Sequence, residues 1–466
     1  MRAALRERFP YRMRRYTLRA VRFIAIGLAL LVAGCAAVDP HNILSRNTRE
    51  ANADFHLDVL GSWGRKTAFD YVWETIDQRY FDAKFNGHDW KAIGARYRTL
   101  AMSARHDDDY WEILNRMTGE LHDSHTRVEA PRHVQLRKRN QAVSLGIDIN
   151  RVDGKIVVTS VRPDSDAWWA GVRAGMDVAQ IDDMPAEQRY EKTLAHEREQ
   201  STAWAKQRRA FRTLLDGEPD TMVAFGFVRP DASHFVVALT RKIVSGGPFA
   251  TARRLPSGFG YIRFSSFSMS LRGEVLDAID AHRRLPGLII DLRNNGGGAA
   301  WLVESIATRL LREKTEVGSI ITRTGEPVTV FGFPVEKLKR TISGSESAYD
   351  KPVVILVNAN SASASELLAG GLQDVGRVKV VGQKSCGCLL GFLGYASIPG
   401  GGELAYSEIG MVSARGRRIE REGVIPDVEV PITREDLLLG RDRTLEAAEE
   451  LLRKSTQLHA VRRHPG

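Results

Sequence analysis

At 466 residues the chain is longer than one ordinary domain, and its length predicts about three. Hydrophobic residues make up 43% and charged residues 27%, which indicates a folded, soluble protein and excludes a disordered or polytopic chain. The net charge of +10 is concentrated at the N-terminus, because residues 1–34 hold eight arginines and one acid and the remainder carries only +3. The charge therefore gives no support to nucleic-acid binding.

The N-terminus has the pattern of a targeting signal. An arginine-rich start is followed by an apolar run from Phe23 to Val32, about ten to twelve residues, which is too short to span a bilayer core of about 30 Å. A run of this size is typical of the hydrophobic region of a signal peptide. Ala33-Gly34-Cys35 follows and resembles a bacterial lipobox, which implies cleavage before Cys35 and lipid attachment to its sulfur.

Residues 1–34 are therefore predicted to be a lipoprotein signal peptide, and residues 35–63 a tether. Ala36 follows the cysteine, where an aspartate would favour the inner membrane, so the resemblance implies a lipid anchor at the periplasmic face of the outer membrane. An ordinary signal peptide with an incidental Cys35 is the alternative.

Residues 64–135 show helical periodicity. Apolar residues recur three or four positions apart in three runs, which predicts an N-terminal helical bundle. The runs begin near Phe69, Trp90 and Tyr110. Asp89 can cap the second helix, and Asp107 or Asp108 the third.

Residues 140–190 have the pattern of a small β-domain. Two short strands flank the turn Asp153-Gly154, and further along lies Ala174-Gly175-Met176-Asp177. This stretch resembles a PDZ domain. The resemblance implies that backbone amides of the loop hold a peptide carboxylate while the peptide adds a strand to the sheet edge. That loop comprises Leu145, Gly146 and Ile147.

The rest of the chain divides into three parts. Residues 191–245 are predicted to connect the β-domain to the next by one helix, from Thr193 to Leu215, and two strands. Residues 246–435 alternate strand and helix, which predicts an α/β layer domain. Residues 436–466 are predicted to form an amphipathic helix and a tail. The fold class is thus a multidomain α/β (α+β) protein.

A serine-rich segment follows the predicted buried strand from Val353 to Val357, immediately before a predicted helix that starts at Ala364. A serine at such a junction lies at the carboxyl edge of the sheet, beside the free N–H groups of the helix N-terminus. These groups can stabilise the anion that forms when a hydroxyl attacks a carbonyl. Helix capping is the alternative role for these serines.

This segment resembles the nucleophile motif of the S41 serine peptidases, the carboxy-terminal processing proteases and their tricorn-like relatives. The resemblance implies that Ser363 is the nucleophile and that 246–435 is a ClpP/crotonase-like α/β catalytic domain. The stretch Asp291-Leu292-Arg293-Asn294-Asn295-Gly296-Gly297-Gly298 resembles the family's oxyanion loop, which implies an oxyanion hole formed by the N–H groups of Gly297 and Ala364. The family's closing element has its counterpart in Gly423-Val424-Ile425-Pro426-Asp427.

The general base departs from the processing-protease pattern, because Cys388 stands where those proteases have their lysine. The segment around His125 resembles that of the tricorn-like branch, in which a histidine is the base, a serine stands beside it and a late glutamate supports it. The resemblance implies His125 as base, Ser124 beside it and Glu420 in support. An imidazole with a pKa of about 6.5 is suited to proton transfer at neutral pH.

Other assignments stay open at this stage. Lys384 is an alternative base, and His122 is a less favoured neighbour of His125. Cys388 is expected to be a small buried residue, with a thiol nucleophile as the weaker reading. Reversible oxidation of Cys386 with Cys388 is conceivable, although two cysteines so close cannot provide a disulfide framework for the fold.

Together these features predict an extracytoplasmic serine endopeptidase that acts on unstructured or C-terminally captured proteins through an acyl-enzyme. Its expected partners are protein or peptide substrates and the membrane, with no nucleic acid, and it needs no cofactor and no metal. The rival prediction is a catalytically inactive relative that binds peptides through the PDZ-like domain as an envelope scaffold. A weaker one is a protease that stays closed until a partner activates it.

Overall fold

The computed structural model describes Asp39, Ile43 and residues 60–331 and 333–463. The predicted signal peptide, the lipidation site Cys35 and most of the tether lie outside the described residues. Across the described part of the chain, no helix combines the length and the apolar character needed to cross a membrane.

Helices dominate the first described region. Its elements are α1 (Ser62–Arg79), α2 (Trp90–Met102), α3 (Asp107–Gly119), β1 (Arg127–Glu129) and α4 (Pro131–Lys138). Asp89 caps α2 by accepting the Ala92 N–H at 2.9 Å, as the sequence predicts. The predicted acidic cap of α3 is wrong, since His106 is the N-cap residue and makes no side-chain capping bond. Asp107 instead accepts the Leu60 N–H at 2.9 Å and so holds the start of α1 against α3.

The β-rich region contains eight strands and three helices. The strands are β2 (Gln141–Ser144), β3 (Ile147–Val152), β4 (Lys155–Val161), β5 (Asp177–Ile181), β6 (Met184–Pro185), β7 (Met222–Val228), β8 (His234–Thr240) and β9 (Lys242–Ser245). The helices are α5 (Asp166–Trp169), α6 (Ala186–His196) and α7 (Ala203–Leu215). The main sheet has the order β3-β4-β5-β7-β8, with β6 paired to β5, while β2 pairs with β9.

Three details of this region differ from the sequence prediction. The boundary near residue 190 is wrong, because β7 and β8 lie in the same sheet as β3–β5 and share one hydrophobic core. The predicted helix from Thr193 to Leu215 is two helices, since the chain is extended at Glu197 and Thr202 begins α7 by accepting the Ala205 N–H at 3.1 Å. The strand predicted before the Asp153-Gly154 turn is interrupted at Gly146, whose φ of +79° does not fit a strand.

The remaining region contains the largest sheet. Its strands are β10 (Ala250–Arg254), β11 (Gly260–Phe264), β12 (Leu288–Asp291), β13 (Thr315–Ile321), β14 (Val328–Val330), β15 (Phe333–Glu336), β16 (Lys339–Ile342), β17 (Val353–Val357), β18 (Lys379–Gly382), β19 (Ala396–Ser397), β20 (Glu403–Ala405), β21 (Gly410–Ser413) and β22 (Val428–Glu429). Its helices are α8 (Arg272–Ala281), α9 (Ala300–Leu310), α10 (Ala364–Asp374), α11 (Arg434–Leu439) and α12 (Arg443–Arg463).

The large sheet has the order β10-β11-β12-β17-β18-β22 and is parallel from β11 onward. Helices α8–α10 cover one face, where Ile290 and Ile355 point, and α12 covers the other, where Ile289 and Val354 point. Strands β12 and β17 are buried at every position, as expected of central parallel strands. Because β12 and β17 run in the same direction as neighbours, the segments that follow them meet at one edge of the sheet.

The helical region does not close its core alone. Buried Leu390, Leu404 and Tyr406 complete the core that α1–α3 form. Strand β1 pairs antiparallel with β20 in the same place. The end of the helical region, which carries the predicted base, is therefore fixed directly onto the α/β region.

Candidate active site

The turn between β17 and α10 is fastened to the loop after β12 by two serine hydroxyls. Ser361 donates from Oγ to the Leu292 carbonyl at 2.8 Å, and Ser365 donates from Oγ to the Asn295 carbonyl at 2.8 Å. Both of these serines are fully buried, whereas Ser363 between them is half-buried. Neither outer serine caps α10, because their hydroxyls donate to carbonyls of the loop after β12. The N-cap residue of α10 is Ser363, the serine presented at the sheet edge.

The backbone at Ser363 has a conformation that only glycine adopts freely. Its φ is +56° and its ψ is −117°. A non-glycine residue there carries a strain of about 1–3 kcal/mol, a feature that clusters at functional sites. The Ser363 N–H donates to the Cys388 carbonyl at 2.9 Å and to Glu366 Oε2 at 3.0 Å. These two acceptors hold the serine in its strained position.

The predicted oxyanion residues lie beside Ser363, but one of them is turned away. A Cβ on Gly297 would lie 2.6 Å from Ser363 Cβ and 2.8 Å from the Ala364 nitrogen, so only glycine fits there. The Gly297 N–H, however, donates to Asn295 Oδ1 at 3.0 Å. Ala364 is the first residue of α10, where N–H groups have no acceptor within the helix. The Ala364 amide is therefore better placed for an oxyanion than the Gly297 amide.

A buried carboxylate underlies Ser363. Glu366 is fully buried and accepts four hydrogen bonds, from Ser385 Oγ at 2.5 Å and from the N–H groups of Gly387, Ser363 and Cys388 at 2.7, 3.0 and 3.0 Å. Burial raises the pKa of Glu366 to about 7, and the four hydrogen bonds oppose that rise. Glu366 is not among the residues predicted from the sequence. The Ser-x-x-Glu spacing at the start of a helix, which is the capping-box pattern, could have identified it.

The predicted base lies in a loop organised by Asp123. This fully buried carboxylate accepts from the His125 N–H at 2.7 Å, from Thr126 Oγ1 at 2.5 Å and from Ser407 Oγ at 2.7 Å. His125 is 8% exposed. Its ring lies 6.2 Å from the Phe392 ring, and its Nδ1 has no hydrogen-bond partner among the described residues. Burial lowers the pKa of His125 to about 4, so its imidazole is neutral at pH 7.

Ser124 joins the His125 loop to the rest of the site. Ser124 and Ser201 exchange two hydrogen bonds, each N–H donating to the other's Oγ, at 2.9 and 3.0 Å. Ser124 Oγ also lies 3.4 Å from Cys388 Sγ. Ser201, in the segment 197–202 between α6 and α7, is not among the residues predicted from the sequence, because it lies 77 residues from its partner.

Glu420 approaches the same cluster from the C-terminal side. Its Oε2 accepts the Leu389 N–H at 2.6 Å. Burial and the negative charge of Asp123 raise the pKa of Glu420 well above its usual value, while a hydrogen bond with Ser201 opposes the rise. The late glutamate thus lies near Asp123, in the neighbourhood of the predicted His–Ser segment.

The alternative bases are engaged elsewhere. Lys384 is exposed, and its Nζ lies 4.7 Å from the centroid of the Trp204 ring, a cation–π contact. The His122 ring stacks on the His88 ring at 5.0 Å, and burial lowers its pKa.

Cys386 and Cys388 are joined by a disulfide. Cys388 is buried, as expected from the sequence, but it is bonded to Cys386, so the expectation of an unbonded cysteine is wrong. Gly387 between them has a φ of +70°, a left-handed conformation that lets two side chains one residue apart reach each other. Across residues 60–331 and 333–463, no group of three histidines, cysteines or acids could hold a metal ion.

The predicted PDZ loop, Leu145 to Ile147, lies directly before and at the start of strand β3. Gly146 donates its N–H to Ser144 Oγ at 3.0 Å and accepts from the Arg162 N–H at 2.8 Å. Any Cβ at Gly146 would lie 2.5 Å from Ser165 Cβ, so the close packing requires glycine. The next strand, β3, is at the edge of the main sheet of this region.

Comparison with known proteins identifies the chemistry of the α/β region. Residues 258–430 match the model of peptidase family S41, and residues 64–119 match the tricorn protease C1 domain. The chain is therefore a serine-type peptidase, a hydrolase, whose α/β region matches the S41 family.

Its relatives narrow this class. A carboxyl-terminal-processing protease of Synechocystis sp. is 28% identical over 394 residues, which cover 82% of this chain and 85% of the relative. The chain is thus homologous to the carboxyl-terminal-processing proteases. Two solved structures share its fold. The photosystem II D1 C-terminal processing protease is 24% identical, the match covers 83% of this chain and 97% of that one, and the TM-score is 0.53. Mature CPAF is 16% identical, the match covers 86% of this chain and 98% of that one, and the TM-score is 0.62.

Proposed function

We propose that this S41 peptidase is an endopeptidase in which Ser363 is the nucleophile and His125 the general base. One observation carries the proposal: Ser363 stands half-buried and strained at the β17–α10 junction, beside the first N–H of a helix and beside Gly297, where no Cβ would fit. Strain of this kind persists only where surrounding contacts impose it, and here Glu366 and Cys388 do so.

The proposed reaction begins with attack of Ser363 Oγ on the substrate carbonyl carbon, while His125 takes the hydroxyl proton. Because the pKa of His125 is lowered to about 4, the neutral imidazole is available as a base at all neutral pH values. The oxyanion is stabilised by the Ala364 N–H, and by the Gly297 N–H once it turns from Asn295 to the substrate. His125 then protonates the leaving amine, and water hydrolyses the acyl-enzyme.

Ser124 and Glu420 have supporting roles in this proposal. Ser124 fixes the loop of His125 by its two hydrogen bonds with Ser201. Glu420 accepts the Leu389 N–H, directly after Cys388 in the chain, and so supports the segment that contacts Ser124. The proposed base and nucleophile are thereby held in a fixed relative position, although they come from different regions of the chain.

Protein substrates are proposed from the homology to processing proteases. The edge strand β3, preceded by Leu145 and Gly146, provides a site where an extended peptide can add to the sheet, with Ile147 at its start. The β-rich region is therefore proposed to act as a PDZ-like module that captures unstructured chains or C-termini. A lipid anchor at Cys35 and an extracytoplasmic location at the outer membrane are proposed from the sequence alone.

The second candidate function is an inactive peptide-binding scaffold. It is favoured by the contact of a disulfide sulfur with Ser124 and by the Gly297 amide that is already satisfied by Asn295. A closed protease that a partner or substrate activates is compatible with the same two contacts.

The test is cleavage of casein, an unstructured protein, by the soluble chain without Cys35. Ser363→Ala and His125→Ala are expected to abolish cleavage. Lys384→Ala is the matched control and is expected to retain it, because the Lys384 ammonium lies over Trp204. Loss in Ser363→Ala and Lys384→Ala but not in His125→Ala would contradict the assignment of the base. No cleavage by the parent chain, even with added envelope extract, would favour the scaffold.

A further inference from the structure

The loop at residues 385–389, here called the disulfide loop, shares its supports with Ser363. The Cys388 carbonyl accepts the Ser363 N–H at 2.9 Å. Glu366 accepts the N–H groups of Gly387 and Cys388 with the same carboxylate that accepts the Ser363 N–H. A displacement of this loop therefore moves the acceptors that hold Ser363 in its strained conformation.

The disulfide also contacts the other segments of the site. Cys388 Sγ lies 3.4 Å from Ser124 Oγ, next to His125 in the chain. The Cys386 carbonyl accepts from Thr202 Oγ1 at 2.9 Å, and the Cys386 N–H donates to the Ser361 carbonyl at 3.0 Å. The nucleophile turn, the base loop and the segment 197–202 thus all meet at one cross-link.

We propose that the Cys386–Cys388 disulfide is a positioning element of the Ser363 site and that peptidase activity requires it in the oxidised form. The proposal rests on Ser363 and His125 having the roles proposed above. The disulfide does not touch the reacting atoms; it fixes where Ser363 and the His125 loop stand relative to each other.

The packing around the disulfide gives the physical reason. Cys386 and Cys388 are 3% and 2% exposed and pack with Ala205 and Ala362. Two thiol sulfurs need a van der Waals separation where the disulfide has a covalent bond, so reduction enlarges the pair in a filled space. The enlargement presses on Gly387 between the two cysteines, whose N–H donates to Glu366 at 2.7 Å.

A role in overall stability explains the cross-link less well. The cysteines are separated by one residue, so the closed loop is among the shortest a disulfide can make, and the constraint on the unfolded chain is correspondingly small. The contacts of this disulfide are instead concentrated on the residues that the proposed reaction uses.

Reduction by a dithiol follows ordinary exchange chemistry. One thiolate of the dithiol attacks a disulfide sulfur, which gives a mixed disulfide and releases the other cysteine as a thiol. The second thiol of the reductant then attacks its own mixed disulfide. Cys386 and Cys388 gain two electrons and two protons in all, and the dithiol leaves as a cyclic disulfide.

The experiment uses the full chain with Cys35→Ser, so that Cys386 and Cys388 are the only cysteines. Casein-peptide turnover is measured for the oxidised protein, after reduction by dithiothreitol, and after reoxidation, with thiols counted by alkylation and mass spectrometry. Reduction is expected to lower kcat at least tenfold with KM unchanged, and reoxidation to restore it. Added Cys386→Ser and Cys388→Ser substitutions are expected to give the low kcat and to abolish the response to dithiol. An unchanged kcat in the reduced chain would overturn the proposal.

Hydrogen exchange provides a readout that does not depend on turnover. Reduction is expected to speed exchange at the amides of Ser363, Gly387 and Cys388, while the amides of strand β17 keep their protection. Equal exchange in both redox forms would also overturn the proposal. If the oxidised chain cleaves nothing, the proposed function fails and the exchange rates alone decide whether the disulfide positions Ser363.

Discussion

Replacing the buried carboxylate Glu366 by glutamine tests whether hydrogen bonds to this side chain hold the site together. The substitution keeps the size of the side chain and removes one acceptor atom. At present Oε1 accepts from Ser385 Oγ and the Gly387 N–H, and Oε2 from the N–H groups of Ser363 and Cys388. A glutamine can supply only one oxygen, so its amide nitrogen must face two of these donors.

The expected cost follows from which donors lose their acceptor. The amide nitrogen is least unfavourable at the Oε1 position, because the Ser385 hydroxyl can turn to accept from it. The Gly387 N–H cannot turn and becomes a buried donor without a partner, which costs about 1–3 kcal/mol. Glu366→Gln is therefore expected to lower the free energy of unfolding by about 1–3 kcal/mol and to reduce peptidase activity, because the support of Ser363 moves with the disulfide loop.

Urea denaturation followed by tryptophan fluorescence measures the stability, and casein turnover measures the activity. The control is Glu450→Gln on the exposed face of α12, where a carboxylate forms only an i,i+4 ion pair with Lys454. Such a surface pair contributes little, so this control is expected to change stability by less than about 0.5 kcal/mol. Equal stability and equal activity in Glu366→Gln and Glu450→Gln would contradict the supporting role of the Glu366 carboxylate.

Three further predictions concern the same site. Ser363→Gly and Ser363→Ala are both expected to be inactive, but the glycine variant is expected to be more stable by about 1 kcal/mol in urea denaturation, because relief of about 1–3 kcal/mol of strain exceeds the entropy cost of glycine; equal stability would remove the strain argument. Because the pKa of His125 is lowered to about 4, the unfolded chain binds a proton near pH 6.5 that the folded chain refuses, so stability falls as pH drops from 6.5 to 4. In the His125→Phe variant, the loss of unfolding free energy between pH 6.5 and pH 4 is expected to be smaller than in the parent chain by up to about 3 kcal/mol, as measured by urea midpoints at both pH values. Ser201→Ala is expected to lower kcat up to about a hundredfold at unchanged KM, while Ser201→Thr, which keeps the hydroxyl bonded to Ser124, restores most of it; an unaltered kcat in Ser201→Ala would contradict the positioning role.

The elements with strong periodicity were predictable from the sequence. Helices α1–α3 follow the three apolar runs, and the buried strands β12 and β17 follow continuous aliphatic stretches. The division of the β-rich region was not predictable in the same way. Its strands β7 and β8 were recognised as strands, but the sheet that they join is formed by pairing across more than forty residues with β5, which a local pattern does not show.

The site was predictable only where its residues belong to a recognisable motif. Ser363 and Gly297 are near each other because the parallel neighbouring strands that precede them end at one edge of the sheet. The alternation of strands and helices in the sequence indicates such a parallel sheet. Glu366 was missed because a glutamate in a helix is usually exposed, and its burial depends on the disulfide loop that covers it. The disulfide itself depends on the left-handed conformation of Gly387.

The buried charges of the site explain how it is assembled from distant segments. The Asp123 carboxylate accepts hydrogen bonds from one backbone amide and two hydroxyls. Arg198 donates from Nη2 to the backbone carbonyls of Asp123 and Thr126 at 2.8 and 2.9 Å. A buried charge is tolerated only when its partners satisfy it, so removing any of these partners leaves a costly unpaired group. Ser407 lies in the segment between β20 and β21, so the Asp123 carboxylate has all of these partners only when that segment is docked on the helical region. The segment 197–202 is joined to the same loop through the backbone carbonyls that Arg198 contacts. The position of His125 therefore depends on contacts from separate parts of the fold, so the proposed base, more than two hundred residues from Ser363 in the sequence, is placed by tertiary contacts and not by its local sequence.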